Sequence, residues 1–132
     1  QSAALPDEQL RLLRERHVPE IYARETVLLA EYPDTVPVTV QALRIGNWGI
    51  AAIPCEVFVE IGLDIKANSA LKPAFTIELA NGYNGYLPTA AHHELGGYET
   101  WRARSSYLEV GAADAIQSAA LELLSQLEGR SK

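Results

Sequence analysis

The 132-residue sequence has no methionine, a single cysteine and few bases, with 11 Lys and Arg against 17 Asp and Glu, for a formal charge of −6. Each shortage excludes something. Cys55 alone cannot close an internal disulfide, and no Cys/His cluster has the spacing of a structural zinc site. No apolar run approaches the roughly 20 residues that span a bilayer, and no stretch has the pattern of a signal peptide. The acidic balance argues against a nucleic-acid platform, because phosphate recognition needs concentrated Lys and Arg. Without methionine the chain lacks an initiator, and Gln1 is a poor natural second residue because initiator trimming favours small ones. A longer, processed polypeptide is the expectation. What is present is hydrophobic residues, at 48%. That fits one globular domain with a real core and excludes a disordered chain. At this size folding buries roughly two-thirds of the chain's surface, so no staples are required.

The hydrophobic periodicity predicts a mixed α/β fold flanked by terminal helices. Residues 6–32 read as helix, with Asp7 and Glu8 at the start, where acids favour the dipole, and Leu10 and Leu13 opening an apolar stripe. Pro19 interrupts it, so the helix either kinks or restarts there. Ile21, Leu28, Leu29 and Tyr32 continue a face, and the four Arg and six acids of this arm read as a solvated surface. Residues 33–37 read as a turn. Residues 38–45 and 48–53 are strand-like and separated by Gly46-Asn47, a tight-hairpin signal. Helical spacing follows over 56–68, strand character over 74–80, a Gly- and Tyr-rich loop over 81–100, a further strand over 101–110 and a helix over 112–127. Residues 1–33 thus form a helical arm and 34–132 an α/β body, together a single domain or part of a larger one.

Strand 48–53, helix 56–68 and strand 74–80 make a strand–helix–strand crossover unit, which places two parallel strands in a mixed sheet with their carboxyl ends on one edge. Ligands of open α/β sheets sit outside such edges. Glu56 follows the first strand, and Asn81, Tyr83 and Tyr86 follow the second, so a carboxylate, an amide and two phenols converge there. At a helix start, Glu56 is either an ordinary first-turn acid or an ionised group able to bind a metal or act as a base. Tyr83 and Tyr86 either pack or line a pocket.

Other chemistry-bearing residues offer less. His92-His93 have no acidic partner at a zinc-ligand spacing and read as a solvated pair, and His17 reads as structural. Cys55 is a small, partly buried residue, or, lying before a helix start, a thiol of lowered pKa. Between residues 45 and 101 six acids accompany only Lys66 and Lys72, a balance that suits a cation or an acidic surface.

The segment Ile53-Pro54-Cys55-Glu56-Val57-Phe58 is followed by Glu78-Leu79-Ala80-Asn81-Gly82-Tyr83-Asn84-Gly85-Tyr86-Leu87-Pro88-Thr89 and by Gly96-Gly97-Tyr98-Glu99. In order and spacing these resemble the neutral/alkaline non-lysosomal ceramidase family, in its bacterial ceramidase-like branch. The likeness covers most of the chain and corresponds to the C-terminal part of the catalytic domain only. It implies a zinc amidase that splits a lipid amide of the ceramide type, in a secreted or periplasmic location. Glu56 and Tyr86 match two of the family's four zinc ligands and its catalytic shell, with Tyr83 and Asn81 as substrate-binding candidates. The two histidine ligands lie upstream of the matched part, and His92 and His93 do not correspond to them. Cys55 stands where the family has glycine. The resemblance thus implies a chain inactive alone, partnered by the remainder of a longer chain or by a companion chain. The alternative is a non-catalytic structural or assembly module on the same fold.

Overall fold

The computed structural model describes residues 7–129, with side chains described from residue 18 onward. Leu10, Leu13 and His17 therefore have side chains outside the described residues. Helix α1 runs Asp7–Leu29 and keeps Pro19 inside it, so the helix does not restart at the proline. Strands β1 (Gln41–Ile45) and β2 (Trp48–Ala52) form the expected hairpin, closing on the pair Ile45 and Trp48. Gly46 supplies the turn with a φ of +61°, a left-handed conformation that glycine adopts at little cost.

The chain then enters the two-residue strand β3 (Glu56–Val57), helix α2 (Val59–Asn68) and strand β4 (Ala74–Ile77). Strand β4 lies parallel to β2, pairing Gly49 with Ala74 and Ala52 with Ile77, as the strand–helix–strand reading requires. The resulting sheet is mixed and ordered β1-β2-β4. Strand β5 (Tyr86–Leu87) pairs in parallel with β3 as a second, small sheet. Helix α3 (Ala90–Leu95), a 3₁₀ turn at Tyr98–Thr100 and helix α4 (Ala112–Glu128) complete the described chain.

Helix α4 lies against β1, β2 and α2, while α2 covers β4, so both helices sit on one face of the sheet. The apolar stripe of α4 is buried at Ala113, Ile116, Ala120 and Leu124, a helical repeat. It meets Ala51, Ile53 and Cys55 from β2 and the chain leaving it, with Ile61 and Ile65 from α2. Each fully buried Leu or Ile here stabilises the fold by about 1.5–3 kcal/mol relative to exposure. Gly49 lets the layers close: a Cβ there would lie 2.9 Å from Leu71 Cβ and 3.1 Å from Leu124 Cδ2.

Two expected elements differ. The helix begins at Val59 rather than at 56, because Glu56 and Val57 are drawn into pairing with Tyr86 and Leu87. No strand forms over 101–110. Ala103 and Ser106 instead exchange backbone hydrogen bonds of 3.2 and 2.8 Å, closing a tight turn.

Candidate functional site

Beyond the ends of β2 and β4, residues 53–57 and 77–86 run side by side. The Ile53 amide donates to the Ile77 carbonyl at 3.0 Å, Leu79 to Cys55 at 3.0 Å, and Asn84 to Pro54 at 2.7 Å. The Glu56 amide donates to Gly85 at 2.9 Å. Left-handed backbone at Leu79 (φ 50°) and Asn81 (φ 61°) bends the second segment around the first. The outcome is a direct register pair of Glu56 with Tyr86.

Two phenols lie at the Glu56 carboxylate, and a third, Tyr98, backs one of them. The Tyr83 hydroxyl donates to Glu56 Oε1 at 3.1 Å. Burial and this bond both raise the Tyr83 pKa. Tyr86 is raised further, first by a hydrogen bond with Tyr98, then by burial and by the Glu56 charge. The Tyr86 and Tyr98 rings meet edge to face at 5.6 Å. Sequence reasoning did not single out Tyr98 as a site residue. Its one signal was membership of the Tyr98-Glu99 segment within the family-like pattern.

A second shelf backs the cluster. The Tyr86 amide donates to the Ser105 carbonyl at 2.8 Å, and the Tyr107 hydroxyl donates to Asn84 Oδ1 at 2.9 Å. Gly85 (φ +74°) lies directly against the Ser105 carbonyl, leaving no room for a Cβ. A groove of about 370 Å³ runs from Tyr83 between α1 and this shelf, lined by Ile21, Tyr22, Ala103 and the paired Glu25 and Arg104. That pair is bidentate at 2.9 Å for both arms. The arm's acids are therefore not all a solvated surface.

The other candidates separate from this centre. Asn81 donates to Gln41 Oε1 at 2.5 Å and so ties the turn to β1. Glu56 does not sit at a helix start, so the dipole argument for its ionisation does not apply; Glu60 is the acid in the first turn of α2. Cys55 is wholly buried, and burial pushes its thiol up to about 11, the opposite of an activated nucleophile. His92 is no free loop residue: its Nδ1 lies 2.7 Å from Thr89 Oγ1, Nε2 lies 3.7 Å from Glu60, and the ring packs on Phe58.

The donor chemistry at Glu56 and Tyr86 suits a hard or borderline cation, since carboxylate and phenolate oxygens both bind zinc. A bound cation would also reverse the field that now keeps the Tyr86 proton in place. The pair alone would not complete a tetrahedral shell: among the described residues no three His, Cys, Asp or Glu converge on one point. Two further ligands would have to come from elsewhere.

A mixed α/β layer with a carboxylate–phenol cluster at its strand ends is thus the class defined by the fold and the site. No family model and no curated protein matches the chain. Among solved structures, it is similar to neutral ceramidase from Pseudomonas aeruginosa, with a TM-score of 0.61 and 20% identity over 98% of this chain. The chain spans 21% of that protein. It has a ceramidase-like fold.

Proposed function

We propose that this chain is the C-terminal portion of a ceramidase-like, zinc-dependent hydrolase of a lipid amide, with Glu56 and Tyr86 as two of the metal ligands. The observation that carries the reading is the direct pairing of Glu56 with Tyr86, since it joins the two residues that the family resemblance selects. The likeness to a ceramidase supports the fold to which they belong.

Within such a site, Tyr83 fixes the Glu56 carboxylate through its hydroxyl. Tyr98 orients the Tyr86 phenol through its edge-to-face ring contact and a hydrogen bond. Asn81 belongs to the rim as a substrate-binding candidate. Zinc, when bound, would polarise the amide carbonyl and lower the pKa of a bound water. Two ligands hold zinc weakly, so the chain alone is expected to be inactive. The missing ligands come from the remainder of a longer chain or from a companion chain.

The test is zinc content and lipid-amide hydrolysis of the full-length gene product and of its Glu56→Gln variant. Loss of zinc together with a fall in turnover of at least ~100-fold is expected for a lost ligand. Unchanged metal and turnover would remove Glu56 from the site. The second reading, a non-catalytic assembly module, draws on the incomplete donor set and expects a full-length product with neither zinc nor activity.

A further inference from the structure

Among the described residues, helices α2 and α4 cover one face of the sheet. Alternation along the strands puts Leu43, Ile45, Trp48, Ile50, Phe75 and Ile77 together on the other. These positions carry no charge, although the chain has a net charge of −6. Ile45 is 66% exposed and Trp48 52%. A sheet with one wet face normally alternates apolar and polar residues, whereas strands apolar on both faces belong to sheets covered on both sides. Single-layer exposure of this kind marks an interaction surface.

The apolar surface continues around the free edge of β4. There a groove of about 370 Å³ is lined by Val59, Leu63 and Phe75 together with the charged Lys66 and Glu78.

We infer that this face and the β4 edge are where the remainder of a ceramidase-like body packs, with an apolar polypeptide layer over the sheet face. Two observations select that occupant over a second copy. The fold recurs within a chain of which about four-fifths lies outside the match. In addition, three strands of about five residues span roughly 14 by 16 Å, well short of the ~800 Å² per partner that a stable pair of copies buries. The inference rests on the larger-body reading of the proposed function, but not on its metal.

Thiol labelling tests it, with Cys55 as an internal control because it is buried while the fold is intact. Phe75→Cys and, as a second position should that variant fold poorly, Ile45→Cys are compared with Glu122→Cys, which is exposed on α4. In the 132-residue chain all three should react at similar rates. In the full-length gene product the two sheet-face cysteines should react at least ~100-fold more slowly than Glu122→Cys, because only local opening would release them. Equal rates in the full-length product would overturn the inference, even if zinc is bound. So would a dimer of the 132-residue chain, seen by sedimentation, that protects the same cysteines. A protected face in a full-length protein without zinc would leave the inference standing and remove the metal reading.

Discussion

At the scale of single residues, environment decides what a side chain can do, and Cys55 is the clearest case. The sequence offers two readings, a small, partly buried residue or, before a helical pattern, a thiol of lowered pKa. The structure places it fully in the core among Ala51, Ile53 and Leu87. Its pKa rises from about 9 to about 11 because burial disfavours the thiolate. The stabilising effect of a protonated buried thiol is fully present below pH 9 and is lost as pH rises through 11. A fall of at most ~3 kcal/mol is expected across that window. Denaturant melts at pH 8, 9, 10 and 11 should show this fall, and Cys55→Ser should make it shallower. The difference should be clearest between pH 9 and 10, below the value of 10 at which unfolded tyrosines such as Tyr83 and Tyr86 begin to add a slope of their own. A flat profile in the parent chain would show that the thiol is already hydrated. Glu56 is a second case. The strand–helix–strand pattern places it at one sheet edge with Tyr86, and strand pairing joins the two, while the helix start that would favour its ionised form begins three residues later.

At the scale of elements, the described part of the long arm meets the body through ion-pair and aromatic contacts. Glu25 clasps Arg104, Tyr22 meets Trp101 edge to face at 5.0 Å, and Tyr32 meets Tyr107 at 5.3 Å. The Arg104 guanidinium and amide hold the Glu25 carboxyl down at about 2, against an ordinary value of 4.5. A lowered carboxyl pKa stabilises the fold above 4.5, and the effect drains away as pH falls toward 2. Glu25→Gln should therefore flatten the acid limb of the stability profile between those values and leave the profile above pH 5 parallel to that of the parent. Thermal melts across pH 2–6 would decide it; an unaltered acid limb would mean that the clasp is not formed in solution.

The same elements show what the sequence could and could not reveal. The hairpin, the parallel β2–β4 pair and α4 were legible because local periodicity and the Gly46-Asn47 turn specify them. The 101–110 segment was not. Trp101, Tyr107 and Val110 have strand character, but the segment turns at Ala103–Ser106 and lends its Ser105 carbonyl to Tyr86. Long-range pairing of this kind leaves no periodic trace. Nor did composition reveal the Tyr86–Tyr98 partnership, which depends on two glycines at positive φ, Gly96 and Gly97, reversing the chain before Tyr98.

At the scale of the whole molecule, the described core belongs to the body and not to the arm. None of the buried core positions among the described residues falls within α1. Side-chain burial in one continuous cluster is what makes unfolding cooperative, so residues 34–132 should fold without residues 1–33. What the arm does hold is the shelf behind the site, because the Arg104 amide donates to Glu25 at 3.1 Å and the neighbouring Ser105 carbonyl receives the Tyr86 amide. Deleting 1–33 should leave a single cooperative transition while amide exchange at Arg104 and Tyr86 accelerates at least ~10-fold relative to Ile65 and Leu124, since only the local opening energy falls. Two-dimensional NMR of the shortened chain reads both outcomes at once. Uniform acceleration across all four amides would show instead that the arm is integral to the core, and the boundary near residue 33 would then have no energetic meaning.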